Sequence, residues 1–285
     1  VVDTPVVDTP VVDAAVMYSL TVSSTTGSAD VLTGGSGDDT FVGTLAGSFE
    51  GSDVLNGGAG TDTLLNALPT VTASTSMAGA NVSNVEVVSV NYVHDGGAAD
   101  VVTLDLAGFQ GVTKVVANKI TNTGSTADSV LTISGLNMTT AVDVEVVGGD
   151  TGADNSSVDI TATYQSVTGS TDSSNLLLNG AAANVITVAG IETLNINATS
   201  TETSASSTGY SAINSLQVAN AKSIVVSSDS SLTIGALNAA ATVSIDNSGS
   251  AGKLILTGET AATTTTFLAG SGGDTLTTAT TGIVN

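Results

Sequence analysis

A nine-residue phrase occurs twice in this chain, 23 positions apart, and it limits the possible folds more than any other feature. Gly34-Gly35-Ser36-Gly37-Asp38-Asp39-Thr40-Phe41-Val42 and Gly57-Gly58-Ala59-Gly60-Thr61-Asp62-Thr63-Leu64-Leu65 share three glycines, then an aspartate, then one large apolar residue. The Gly-rich half is turn material, because glycine adopts positive φ and lets carbonyl groups crowd together. The last three residues make a short strand with one side chain pointing inward. Units of this kind wind a flattened parallel roll whose turns fall alternately on two sides, so each turn faces the turn two units on. Weaker copies stand upstream, at Asp30-Val31-Leu32 and Gly51-Ser52-Asp53-Val54-Leu55. Asp30 is therefore expected to face Asp53, and Asp39 to face Asp62. Two nine-residue units need about 18 residues. The excess, about five, is assigned to a bulged loop between Phe41 and Phe49, around Leu45-Ala46-Gly47.

Charge says what such turns are for. The 285 residues carry 26 Asp and Glu, 20 of them Asp, against four lysines and no arginine, a formal charge of −22. Lys114, Lys119, Lys222 and Lys253 are too few and too scattered to neutralise phosphates, which excludes nucleic-acid binding and adhesion to anionic membranes. Zero Cys and a single His remove thiolate sites and leave little for zinc. Carboxylates with flexible backbone carbonyls suit a hard cation, Ca²⁺. The candidate ligand positions are Asp30, Gly35, Gly37, Asp39, Asp53, Gly58, Gly60 and Asp62, with Gly272 and Asp274 from a fainter copy, Ala269-Gly270-Ser271-Gly272-Gly273-Asp274-Thr275-Leu276. The stretches Gly96-Gly97-Ala98-Ala99-Asp100 and Gly148-Gly149-Asp150-Thr151-Gly152-Ala153-Asp154 lack the pattern; Asp150 and Asp154 are read as solvated loop carboxylates, with a part in binding an ion as the alternative.

With 41% apolar residues, mostly small and β-branched, the chain is not disordered, and the predicted class is all-β: a parallel β-roll or β-helix-like solenoid with calcium-binding turns. Four segments are expected: a Pro-containing linker or N-terminal strand over 1–16, a roll block over 17–66, an irregular solenoid over 67–267, and the start of a second, truncated block over 268–285. Strands are read at Val85-Glu86-Val87-Val88-Ser89-Val90, Val112-Thr113-Lys114-Val115-Val116, Val142-Asp143-Val144-Glu145-Val146-Val147, Ile191-Glu192-Thr193-Leu194-Asn195-Ile196 and Ser223-Ile224-Val225-Val226. Their uneven spacing predicts loops of unequal length. Asn91, Asn118, Asn197, Asn220 and Asn247 are expected to stack in ladders, and residues 76–81 and 159–167 to form a turn or two of helix. No apolar stretch is long enough for a spanning helix, and no basic region followed by an apolar one marks a secretory signal.

The nonapeptides, together with Val188-Ala189-Gly190-Ile191-Glu192-Thr193-Leu194-Asn195-Ile196, Ala221-Lys222-Ser223-Ile224-Val225-Val226 and the looser Asn84-Val85-Glu86-Val87-Val88-Ser89-Val90, resemble the RTX-type calcium-dependent surface-layer proteins of Gram-negative bacteria, the Caulobacter type best. The resemblance runs from about Ala29 to Leu276. It implies a secreted structural protein, exported by a type I route without an N-terminal signal and assembling with copies of itself on the cell surface. Ca²⁺ would be needed for folding and for lattice contacts. The family's ligand positions carry over to Asp30, Asp39, Asp53, Asp62 and Asp274. Attachment to cell-surface polysaccharide would lie in a region outside this chain. The long repeat arrays of that family are here reduced to two short blocks. Two alternatives share the same vocabulary: a module of a large RTX adhesin, and the C-terminal export and folding region of a secreted enzyme. Catalysis within this chain is not expected. His94, the one imidazole, reads as an exposed loop residue, and the aromatic lining of a glycosidase cleft is missing.

Overall fold

The computed structural model describes residues 13–22, 29–45, 47–71, 74–78, 80–94, 101–122, 128–138, 142–149, 158–200, 210–240, 242–258, 264–277 and 283–284. Among them there is no helix, and every strand pairing is parallel. The protein is an all-β parallel solenoid. One stack of strands runs its whole length: Met17–Ser19, Thr40–Gly43, Thr63–Val71, Val87–His94, Lys114–Asn118, Asp143–Gly149, the first half of Ser173–Ala189, Thr193–Thr199, Ser223–Ser228, Thr242–Asp246, Thr264–Leu268 and Ile283–Val284. A second stack begins at Thr75–Met77 and continues through Val101–Asp105, Ser129–Asn137, Val158–Gln165, the second half of Ser173–Ala189, Tyr210–Val218, Ser231–Ala239, Leu254–Leu256 and Thr275–Leu276. A third, short stack of Val31–Thr33, Val54–Asn56, Asn81–Ser83 and Phe109–Gln110 closes the N-terminal coils.

Alternation explains the core. In each strand every second side chain points inward, and parallel register puts like on like from coil to coil. Phe41, Leu64, Val88, Val115, Val144, Leu176, Ile196 and Val226 form one such column, all buried. Val102, Leu131, Ile160, Ile186, Leu216 and Leu237 form another. Coils stack one strand spacing apart, so bulky or mismatched side chains have no room, which accounts for the small β-branched composition.

The five strands read from sequence all fall in the first stack, aligned through Val87↔Lys114↔Asp143 and Thr193↔Ser223. The widest gap between them holds one further coil, carried by Ser173–Ala189, and the coils are of unequal length, as the register Val87↔Lys114 against Ser173↔Thr193 shows. That strand turns a corner at Gly180, with φ at +54°, and at Ala181, Ala182 and Ala183, residues small enough to pass between two faces.

Two helical expectations are corrected. Residues 76, 77 and 81 fall in the strands Thr75–Met77 and Asn81–Ser83, and 159–165 in Val158–Gln165, where Val158, Ile160, Ala162 and Tyr164 face inward at period two. The strand Thr63–Val71 runs through the expected boundary at 66 without a break. Most of the Pro-containing lead lies outside the described residues, as do Asp100, Asp150, Asp154 and Ala46. In the segment assigned to a bulge, Ser48 N–H donates to Leu45 O and Gly47 takes φ +80°. Asparagine ladders do form, but chiefly inside strands: Asn195 donates to Asn175, which donates to Asp143, and Asn214 donates to Asn184, which donates to Asp159. Of the asparagines named from sequence, Asn247 reaches across a coil, to Asp274.

Candidate metal centre

At the N-terminal end of the first stack, the residue before each strand forms a column: Asp39, Asp62, Glu86 and then Thr113. The acids link coil to coil by one repeated bond. Val16 N–H donates to Asp39 Oδ1, Asp39 N–H to Asp62 Oδ1 and Asp62 N–H to Glu86 Oε2, each at 2.7 Å. A second column lies beside the third stack, where Asp30 N–H donates to Asp53 Oδ1 at 2.9 Å and Asn81 N–H donates to Asp53 O. The next coil there supplies the buried, apolar Ala80. Both aspartate pairs read from sequence are thus brought together, 23 residues apart.

The glycines are required by space more than by φ. Gly58 and Gly60 take positive φ, +98° and +127°, whereas Gly34, Gly35, Gly37 and Gly57 are not in the left-handed region. A Cβ on Gly34 would lie 2.0 Å from Gly57 O and 2.4 Å from Asp39 Oδ2. On Gly58 it would lie 2.2 Å from Gly35 O, and on Gly60 2.6 Å from Gly37 O and 3.0 Å from Asp38 Oδ1. Side-chain-free backbone thus lets oxygens from two coils converge on the turn pair 34–39 and 57–62. Among the described residues no three acidic or imidazole side chains converge. A hard cation here would draw most of its ligands from carbonyls, supplemented by Asp39 and Asp62, and the oxygen-only donor set fits Ca²⁺.

Asp62 differs from the other acids. Its side chain is 0% exposed and Oδ2 has no hydrogen-bond partner. In the first turn, Gly35 N–H satisfies Asp39 Oδ2 at 2.7 Å; in the second, the corresponding Gly58 N–H turns to Asn56 Oδ1 instead. Burial raises the Asp62 carboxyl above its ordinary value; the Asp39 N–H opposes the rise, and the charges of Glu86, Asp39 and Asp38 add to it.

The C-terminal turn repeats the local geometry in a different setting. Asp274 Oδ1 accepts from Leu254 N–H at 2.9 Å and Oδ2 from Gly270 N–H at 2.7 Å, as Asp39 does with Val16 and Gly35. The coil beneath contributes Asn247, whose Nδ2 donates to Asp274 Oδ2 at 2.9 Å. Burial would raise this carboxyl, but the bonds from Leu254, Asn247 and Gly270, with the Lys253 charge, outweigh it and hold the group below its ordinary value. Gly272 packs against Gly252 of that coil, 2.4 Å from its carbonyl oxygen to a built Cβ.

Three participants escaped the sequence reading. Asp13 packs on the first turn: its N–H donates to Ser36 Oγ, and its Oδ2 would meet a Cβ on Gly35 at 2.7 Å. Asn84 and Glu86 belong to a strand phrase, not to a nonapeptide; the signal that could have revealed them is Asn84 at a position needing positive φ, where it takes +51°. His94 is corrected outright. It is 0% exposed at the inward-facing end of Val87–His94, in the same alternation as Val88, Val90 and Tyr92, with Nδ1 3.2 Å from Asn122 Oδ1. Elsewhere an open polar groove of about 550 Å³ is lined by Asn137, Met138, Gln165, Ser166, Thr171, Asp172 and Ser173. Among the described residues no helix is long and apolar enough to cross a membrane. No family model, curated protein or solved structure matches this chain.

Proposed function

We propose that this protein is a calcium-stabilised structural segment of an RTX-type surface-layer or extracellular filament protein, which folds and assembles with copies of itself outside the cell. The observation that carries the reading is the convergence of carbonyl oxygens and the Asp39 carboxylate across glycines 34, 58 and 60. Gly35, Gly37, Gly58, Gly60, Asp39 and Asp62 would hold the ion, which supplies the positive charge these oxygens lack. Asp30 and Asp53 stack in the same way but beside fewer glycines, and Asp274, unlike Asp39, also takes the Asn247 amide and lies beside the Lys253 charge.

The mechanism is linkage between binding and folding. In low calcium the stacked carboxylates repel one another, and a Gly-rich chain has much conformational entropy to lose. In high calcium the ion is bound only when two coils are stacked, so its binding free energy favours the folded form. A chain of charge −22 would then stay open where calcium is scarce and fold where it is abundant. Export by a type I route suits such a chain. Remaining surface carboxylates would be available for calcium-bridged contacts between copies.

The test is a Ca²⁺ titration followed by circular dichroism and electron microscopy. A gain of β-signal together with sheets or filaments, both reversed by chelator, is expected; a folded, monodisperse monomer indifferent to calcium at high concentration would refute the proposal. One observation favours a second reading, a module of a large RTX adhesin: the polar groove beside Gln165 and Asp172 offers amides and hydroxyls of the kind that bind neutral glycans. A glycan-array signal abolished by Gln165→Ala, with no assembly, would favour that reading over the first.

A further inference from the structure

We infer that a second cation is held one coil beyond the nonapeptide pair, between the turn 57–62 and the abbreviated turn Asn84-Val85-Glu86, by Asp62 Oδ2, the Asn84 carbonyl and the Glu86 carboxylate. This rests on the calcium reading of the glycine turns and extends it to residues outside any nonapeptide.

Register makes the two gaps comparable. Thr33 pairs with Asn56 and Asn56 with Ser83, so Asn84 occupies the place of Gly34 and Gly57. Thr63 pairs with Val87, so Glu86 occupies the place of Asp62. The oxygens repeat as well. A Cβ on Gly34 would meet Gly57 O at 2.0 Å and Asp39 Oδ2 at 2.4 Å; a Cβ on Gly57 would meet Asn84 O at 1.8 Å and Asp62 Oδ2 at 2.3 Å. The third coil thus keeps the first and last residues of the turn and drops its middle. Asn tolerates the left-handed conformation best after glycine, and Asn84 adopts it, at φ +51°. Glutamate is one methylene longer than aspartate, which suits a turn shortened between fixed ends.

This gap brings acceptors together without a donor. Asp62 Oδ2 is fully buried without a partner beside another acceptor, Asn84 O, and two acceptors with no donor between them repel. Among the described residues no lysine is paired with Asp62: Lys114, which follows in the next coil, directs its ammonium to Glu145 at 3.1 Å. The neighbouring acid column shows the contrast. There the coil after Asp53 brings Ala80, and Asp53 Oδ2 is satisfied by Glu50 N–H at 2.7 Å.

The experiment counts Ca²⁺ per chain by equilibrium dialysis on the whole protein. Glu86→Gln keeps an oxygen for the Asp62 N–H and is expected to bind one ion fewer than wild type, retaining the others. Asn84→Gly, which preserves both φ and carbonyl, is expected to bind the full number. An unchanged count and affinity in Glu86→Gln, while Asp39→Asn still loses an ion, overturns the inference and leaves the calcium reading standing; a wild-type chain that binds no Ca²⁺ overturns both. A readout independent of variant folding is the carboxylate carbon resonance of Glu86 in the ¹³C-labelled wild-type protein. It is expected to shift on saturation with Ca²⁺, and a stationary signal refutes the site.

Discussion

The turn ending at Asp62 and the turn ending at Asp274 share two glycines and the closing aspartate at the same spacing, and have opposite electrostatics. Asp62 sits between Asp39 and Glu86 with one oxygen unpartnered, its carboxyl pushed up; Asp274 sits on Asn247 beside Lys253 with both oxygens satisfied, its carboxyl held down. The difference lies one coil away. A Gly-rich nonapeptide specifies a turn, whereas the residue stacked beneath it decides whether that turn repels itself or is already neutralised. On the calcium reading proposed above, stacking acid on acid makes a site that a cation would stabilise. Stacking amide on acid gives Asp274 a donor from the neighbouring coil that Asp62 lacks.

The sharpest way to break this contrast is to fill the glycines. Gly57→Ala puts a methyl 1.8 Å from Asn84 O, and overpacking of that severity is expected to cost about 3 kcal/mol. The measurement is a thermal melt in saturating Ca²⁺; a melting temperature equal to wild type would mean that the coils do not approach as closely as described. Smaller effects separate the acids. Asp274→Asn should cost about 1 kcal/mol with or without Ca²⁺, since it replaces an acceptor of charge-assisted bonds by an amide whose NH₂ opposes a donor. Asp62→Asn should raise stability in chelator, by relieving an unpaired buried charge, and reduce the stabilisation that Ca²⁺ confers. If the two variants respond alike to Ca²⁺, the electrostatic distinction is wrong.

Acid titration in chelator reads the same distinction with opposite signs. A carboxyl whose folded value is raised makes the folded state bind protons first. The penalty at Asp62 is therefore full at neutral pH and is relieved as pH falls through the raised value towards the ordinary 3.8. The contribution of Asp274 is full above 3.8 and is lost as pH falls through its depressed value. Melts across this range should lose the rise in Asp62→Asn and lose the later fall in Asp274→Asn. The smallest effect is expected at Gly249→Ala, in the coil beneath Asp274, where a Cβ meets nothing within 4 Å; a change within about 0.5 kcal/mol is expected, and a large one would show that Gly249, like Gly272, is held by close approach.

Much of this arrangement is legible in the chain. The pairings of Asp30 with Asp53 and Asp39 with Asp62 follow from spacing, because parallel register carries an identical phrase onto itself. The strands beginning near Val85, Val112, Val142, Ile191 and Ser223 are visible because apolar alternation is a local signal. Ser173–Ala189 is not, since its unbroken apolar and small residues carry no turn signal strong enough to mark the corner at Gly180–Ala183. His94 looked exposed because Asp95 and two glycines follow it, whereas its burial depends on the parity of Val87–His94. Asn84 and Glu86 could not be recognised as partners of Gly57 and Asp62, because coil lengths change from Thr40↔Thr63 to Thr63↔Val87 and the turn shortens.

By itself, then, the sequence determined the repeating turn, the inward alternation and the excess of oxygen ligands, all of which are set by neighbours within nine residues. Which acid lies over which residue was decided only by the tertiary structure. Loops of unequal length can be read along the chain, but the register they produce is fixed by stacking apolar columns. That register gives Asp62 a glutamate for a neighbour and Asp274 an asparagine.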